Sequence, residues 1–251
     1  MIEDLVMDKS GRRRYWAIQR HPCAPEAISI YNNGCNLECI YCWNSIRNDS
    51  KRISRYGRLM SPGEVADKVN ELLRKWRLNV VRVSGGEAIL GFDSTHHLAK
   101  VIEYTDCWKF VIETNGIELG RNQTLFSLFE SLKDKVVFRI NIKGSDYDNF
   151  ERNTLRPGHW LDYAFKAIET AKKMGFKIIC ACMEEVVDVD KIEKKLIQLG
   201  VDTSKKFDKK GRIKYGRFEH EFEVEHIKIK YSWTEEKLRK VWGSAGDPKC
   251  I

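Results

Sequence analysis

From residue 27 onward, short apolar runs alternate with amphipathic stretches of helical period, and this alternation limits the chain to repeated βα units around a parallel sheet. The strand runs fall at 27–33, 79–84, 108–113, 136–143, 176–183 and 222–231. Between them, Ser61-Pro62-Gly63-Glu64 reads as a helix start, with an N-cap serine, a proline in the first turn and a capping-box glutamate. Val65, Val69, Leu72, Leu73 and Trp76 then follow one face. Leu161, Ala164, Phe165, Ile168, Ala171 and Met174 repeat the pattern before Gly175, as do Val189, Ile192, Leu196 and Ile197 before Gly200. Both glycines read as helix stops. Residues 94–105, 123–132 and 234–242 are further helix candidates.

Six strands with interleaved helices fit an open doubly wound sheet or a partial barrel. The run Val136 to Lys143 favours the barrel. Val136, Phe138, Ile140 and Ile142 share one face, while Arg139, Asn141 and Lys143 share the other. Parallel strands of an open sheet are normally apolar on both faces, so a polar inward face predicts a lumen that holds a charged ligand. His226, Lys228 and Lys230 alternate similarly with Ile227, Ile229 and Tyr231. Ligands in such folds sit at the carboxyl ends of the strands. The expected fold is therefore α/β, a partial (β/α)6 barrel in a single domain. Residues 1–26 form an N-terminal arm, residues 27–251 the core domain, and a basic insertion spans about 203–217.

At 251 residues the chain can bury a large core without disulfide staples. Charged residues make up 32 %, above the roughly 25 % usual in globular domains, which excludes a membrane protein. No apolar run reaches the length of a bilayer span, and Met1-Ile2-Glu3-Asp4 lacks the blocks of an export signal. A cytoplasmic location is expected. The net charge of +8 is a small excess, and its distribution matters more. Lys205, Lys206, Lys209, Lys210, Arg212, Lys214 and Arg217 are followed by Glu219, Glu221, Glu223 and Glu225. A hairpin turning at Tyr215-Gly216 would set the two groups opposite each other; an RNA-binding arm is the rival. Arg47, Lys51, Arg52, Arg55 and Arg58 either recruit an anionic substrate or form a solvated loop, and Arg12 to Trp16 form a docking or surface arm.

Cys35, Cys39 and Cys42 lie in a CxxxCxxC spacing directly after the first strand, in a loop opened by Asn32-Asn33-Gly34. Three thiolates so close in sequence can hold one metal centre and leave a metal position open for another ligand. The alternatives are a zinc site completed by a histidine, although the nearest are His21, before the strand, and His96 and His97, far along the chain, or no metal at all. Ser84-Gly85-Gly86-Glu87 ends the second strand run, Glu113-Thr114-Asn115-Gly116 the third, and Asn141-Ile142-Lys143 the fourth.

With an aromatic residue, Tyr41, before the third cysteine, this pattern resembles the radical S-adenosylmethionine (radical SAM) superfamily. The resemblance covers residues 28–231 and is nearest to glycyl-radical activating enzymes and to 7-carboxy-7-deazaguanine synthase. It implies a [4Fe-4S] cluster on Cys35, Cys39 and Cys42, with S-adenosylmethionine on the fourth iron. The reduced cluster would cleave the sulfonium to a 5′-deoxyadenosyl radical that takes a hydrogen atom from substrate. Tyr41 would pack near the adenine, Ser84, Gly85, Gly86 and Glu87 would line the methionine, and Glu87 would accept from its ammonium. Glu113, Thr114 and Asn115 join that set; Asn141 would bond the ribose and Lys143 the carboxylate. Ala88 stands where the family often has proline, and Asn141 where the activating enzymes carry Asp.

Trp43 and Asn44 would shield such a cluster from solvent. Cys180 and Cys182 point to one side of their strand, and serve either as small hydrophobes or as ligands or redox groups in the lumen. Cys23, Cys107 and Cys250 are widely separated. The implied partners are a flavodoxin- or ferredoxin-like electron donor and a substrate that is a glycyl-radical protein, a tRNA or a small molecule. The reading from another class is a non-catalytic zinc or iron-sulfur electron-transfer module.

Overall fold

In the computed structural model, residues 2–21, 25–204, 207–209, 218 and 221–225 are described. Along the chain run α1 (Glu3–Val6), β1 (Arg13–Arg20), β2 (Ala27–Asn32), α2 (Ser45–Asn48), β3 (Arg58–Met60) and α3 (Pro62–Trp76). There follow β4 (Val80–Gly85), α4 (Phe92–Tyr104), β5 (Lys109–Thr114), α5 (Ile117–Arg121), β6 (Val136–Asn141) and α6 (Tyr147–Thr154). The last are α7 (Leu161–Lys173), β7 (Lys177–Met183), α8 (Val189–Gln198), β8 (Phe207–Lys209) and β9 (Phe222–Glu225).

Among the described residues the strands form one nine-stranded sheet in the order β3-β1-β2-β4-β5-β6-β7-β9-β8, which does not close on itself. The six strands anticipated from the sequence, β2, β4, β5, β6, β7 and β9, pair in parallel and make the partial barrel. The segment read as an arm enters the same sheet: β1 runs antiparallel to both β2 and β3. The expected antiparallel hairpin is corrected. β8 lies parallel to β9, with Phe207 opposite Glu223 and Lys209 opposite Glu225, where a hairpin would pair them antiparallel. Tyr215-Gly216, the rest of the basic run, Glu219, residues 226–231, the 234–242 helix candidate, Cys23 and Cys250 lie outside the described residues.

The helices form where the local signals place them. Ser61 Oγ accepts from Glu64 N at 3.3 Å and Glu64 Oε2 accepts from Ser61 N at 2.7 Å, the reciprocal capping box of α3. Val65, Val69, Leu72 and Leu73 are buried as the period predicts, but Trp76 is 43 % exposed, with the Arg20 guanidinium 4.6 Å from its ring centre. Ile197 of α8 is likewise exposed, because both lie in the last turn of their helices, where the sheet no longer covers that face. Gly175 and Gly200 adopt φ of +74° and +72° and stop α7 and α8.

The two faces of the sheet have different chemistry. Ile28, Ile30, Val81, Val83, Phe110, Ile112, Phe138, Ile140, Phe222 and Val224 pack under the helices in the main core. On the opposite face, toward the amino ends of the strands, Ala27, Val80, Val111, Val137 and Ile179 form a separate apolar cluster with Phe218. Two residues further along β4, β5 and β6, the lumen turns polar. Arg82, Glu113, Arg139 and Glu223 form a bar of buried charge, with Ser84, Asn141 and Glu225 at its upper edge. The strand pattern of Val136 to Lys143 is thus the pattern of a barrel with a charged interior.

Candidate functional site

The loop from Asn32 to Cys42 is clamped at its base by the Ser84-Glu87 turn. Gly86 N donates to Asn32 O at 2.8 Å and Glu87 N to Gly34 O at 2.6 Å. A Cβ on Gly86 would lie 2.2 Å from Gly34 O, so only glycine permits this approach. Asn32 Nδ2 and the buried Arg13 Nη2 both donate to Glu87 O, at 2.6 and 2.7 Å. Arg13 comes from β1, so the N-terminal segment supports the site directly. On the other side, Glu38 N and Ile40 N donate to Thr154 O and Asn153 O, each at 3.0 Å, and Arg156 Nε donates to Asn36 O at 2.8 Å.

Cys35, Cys39 and Cys42 share the pocket this loop encloses. Burial is the main reason that each thiol holds its proton more tightly than usual, Cys39 up to about 11. Cys39 and Cys42 further raise Cys35, while Lys143 opposes the shift at Cys39 and Cys42. The sulfurs therefore sense one another and one cation. Yet among the described residues, no three His, Cys, Asp or Glu side chains converge on a point that a single metal ion would occupy. His97 Nδ1 is bonded to Gly11 O at 2.8 Å, His96 stacks on Phe92, and His21 sits against Tyr31. Three thiols supplied by one loop are a donor set that a polynuclear centre taking one sulfur per metal can use.

Tyr41 is buried two residues from Cys39, and Lys143 Nζ stands 5.8 Å from the Tyr41 ring centre. A cation and an aromatic face thus flank a trio of sulfurs at the carboxyl end of a parallel sheet.

The family comparison agrees with this geometry: the family model described as the radical SAM superfamily matches residues 29–203. The chain belongs to the radical SAM superfamily. A probable GTP 3′,8-cyclase of Pyrococcus abyssi is 26 % identical over 174 residues, covering 69 % of this chain and 49 % of that protein. The chain spans about half the length of the curated relatives it matches. Among solved structures, Streptococcus suis SuiB bound to S-adenosylmethionine is similar with a TM-score of 0.54 at 16 % identity, over 88 % of this chain and 46 % of that chain. HydG, a maturase of the [FeFe]-hydrogenase, is similar with a TM-score of 0.54 at 15 % identity, over 89 % and 50 %. These likenesses show the shared fold. As a radical SAM enzyme, this chain has a [4Fe-4S] cluster and S-adenosylmethionine as its cofactors. No helix among the described residues is long and apolar enough to cross a membrane.

The radical SAM reading of the other site residues divides into three groups in space. Tyr41 and Lys143 stand at the thiols. Ser84, Glu113 and Asn141 belong to the lumen bar: Ser84 Oγ donates to Glu113 Oε2 at 2.7 Å, and Arg139 Nη1 to Asn141 Oδ1 at 2.9 Å. Glu87, Thr114 and Asn115 tie two strand ends together. Glu87 accepts from Ile89 N at 3.0 Å, Asn115 N at 2.8 Å and the Thr114 hydroxyl. Its pKa is raised by burial, against the pull of those donors. Gly85, at φ +94°, and Gly86 make their close approaches to Asn32 and Gly34.

Asn115 Nδ2 donates to Asn36 Oδ1 at 2.7 Å, which links this radical SAM turn to the residue after Cys35. Sequence reasoning missed Asn36, Asn48, Arg13 and Arg156; the only signal for Arg82 was a charge in the middle of an apolar strand. Trp43 lies edge-on to Trp16 and Tyr31, 6.1 Å from each, and Asn44 is fully buried. Cys180 and Cys182 face the helices within the main core, as small hydrophobes, and not the lumen. Cys107 is half-buried, its thiol pushed up to about 12.

Proposed function

We propose that this radical SAM enzyme reductively cleaves S-adenosylmethionine and uses the resulting radical to abstract hydrogen from a substrate in the lumen. In this reading Cys35, Cys39 and Cys42 hold the [4Fe-4S] cluster. The observation that carries it is three cysteines of one loop, their thiols pushed up by burial, next to Tyr41 and Lys143 at the carboxyl end of the parallel strands. When bound, the cluster and S-adenosylmethionine together supply a 5′-deoxyadenosyl radical.

This chain's own residues prepare the place. Lys143 offers a cation to a carboxylate, and Tyr41 offers a buried aromatic face. Ser84, Asn141 and Glu113 offer polar groups at the upper edge of the lumen. Glu87, Thr114 and Asn115 keep the two flanking turns in register. A flavodoxin- or ferredoxin-like protein supplies the electron.

The GTP of the curated relatives' name is a weaker substrate reading for this chain. A triphosphate calls for unmatched cations, and among the described residues the lumen arginines Arg82 and Arg139 already meet the carboxylates of Glu113, Glu223 and Glu225. That balance favours a substrate with less negative charge.

The test is anaerobic reconstitution with iron and sulfide, then reduction in the presence of S-adenosylmethionine. The expected result is an iron-sulfur absorption band and 5′-deoxyadenosine, both lost in Cys39→Ala. A colourless zinc protein, or a cluster that leaves S-adenosylmethionine intact, would overturn the proposal.

A further inference from the structure

Cys35 and Cys42 are approached by hydrogen-bond donors of this chain, and the donors differ in kind. Cys35 Sγ accepts from Leu37 N at 3.4 Å and faces the Asn115 amide at 4.0 Å. Cys42 Sγ accepts from Asn48 Nδ2 at 3.7 Å.

Asn48 ends α2, one helical turn beyond Asn44, and Asn44 Nδ2 donates to Asn48 Oδ1 at 3.2 Å. That bond decides which way the Asn48 amide points. Its oxygen is occupied by Asn44, so its nitrogen faces the sulfur. Asn44 is fully buried, and its own Oδ1 has no hydrogen-bond partner. A buried carbonyl oxygen left unmatched is costly, and the orientation of Asn48 is what the arrangement yields in exchange.

We propose that Asn44 and Asn48 are positioning residues that set the reduction potential of the cluster through the sulfur of Cys42. This rests on the assignment of Cys42 as a cluster ligand. A donor to a coordinated thiolate draws charge from the metal and stabilises the more negative, reduced state, which raises the potential. Asn48 does this as a neutral amide, so it adds neither a charge nor a titration to the pocket.

The test is a spectroelectrochemical titration of the whole reconstituted chain without S-adenosylmethionine. Asn48→Leu keeps the size of the side chain and removes the donor. At the potential where the wild type is half reduced, the ratio of reduced to oxidised cluster is expected to fall about tenfold, a shift of about 59 mV for a one-electron couple. Asn44→Ala leaves the Asn48 amide unaligned and is expected to move the midpoint in the same direction by less. An unchanged midpoint in Asn48→Leu overturns the inference and leaves the cluster assignment standing, whereas a wild-type chain that takes up no cluster removes the assignment itself. Should Asn48→Leu take up no cluster, Asn44→Ala decides: a negative shift supports the inference and an unchanged midpoint overturns it.

Discussion

Arg139 on β6 reaches across β7 to Glu223 on β9, its Nε and Nη2 standing 2.8 and 2.6 Å from the same carboxylate oxygen. The same Nη2 lies 2.8 Å from Glu225, so one guanidinium serves two carboxylates of the neighbouring edge. Both partners of the main pair are buried. Such a pair adds little net stability when intact, because desolvation offsets attraction, but losing one partner is costly. Arg139→Met is therefore expected to lower the unfolding free energy by about 3–5 kcal/mol, read from the urea midpoint. The double variant Arg139→Met/Glu223→Leu should recover part of that loss. A single variant as stable as wild type would show that the bar does not hold β9 in place.

The places of the six parallel strands were legible because each is a run of β-branched or aromatic residues closed by a glycine or polar turn. The lumen was legible in Arg139 and Asn141, whose charge and polarity alternate with Val136, Phe138 and Ile140. The partners were not. Glu223 and Glu225 read as counter-charges to the basic run before them, yet they meet Arg139, which lies more than eighty residues away along the chain. Nor does β1 announce itself, since Arg13, Arg14, Tyr15 and Trp16 carry a basic edge-strand pattern that any surface arm would share. Glu87 shows the same limit at the site. Its residue type and position are those of a ligand acceptor, and only the parallel register of β4 and β5 places Thr114 and Asn115 N–H against it.

Glu87→Gln tests those contacts. The carboxylate accepts from three donors of the chain, and an amide in its place would turn an N–H against one of them. A loss of about 1–3 kcal/mol in unfolding free energy is expected, with slower uptake of iron and sulfide as Asn115 loses its hold on Asn36. A variant with wild-type stability and uptake would mean that these three bonds do not hold the turns together.

The two glycines Gly86 and Gly63 make a matched pair of substitutions. A methyl group on Gly86 meets the Gly34 carbonyl oxygen at 2.2 Å, and that oxygen belongs to the backbone just before Cys35. Gly86→Ala must displace the cysteine loop, so a loss of about 1–3 kcal/mol and poor cluster uptake are expected. Gly63, in the first turn of α3, has nothing within 4 Å of the same position. Gly63→Ala is expected to stabilise by about 0.4–1 kcal/mol, because it only narrows the unfolded ensemble. Equal effects at both sites, measured by thermal unfolding, would mean that the Gly86 contact is not a constraint.

His97 on α4 makes the stability of the fold depend on pH in a predictable direction. Its Nδ1 lies 2.8 Å from the Gly11 carbonyl oxygen and so carries the proton as a donor, which fixes the tautomer. Burial is the largest cause that holds its pKa down from 6.5 to about 4, opposed by the Gly11 bond and aided by the charge of Arg13. In the unfolded chain the imidazole titrates at its ordinary 6.5, so between that value and about 4 the unfolded state binds more protons. The contribution of His97 is therefore complete above pH 6.5 and is lost as the pH falls through that window, with a limiting slope of about 1.4 kcal/mol per pH unit. His97→Asn keeps a donor in the place of Nδ1–H and does not titrate. The difference in unfolding free energy between wild type and this variant should be constant from pH 7 to 8 and should move against the wild type as the pH drops toward 4.5. A difference that stays flat across the whole range would mean that His97 takes up a proton as readily in the folded chain as in the unfolded one.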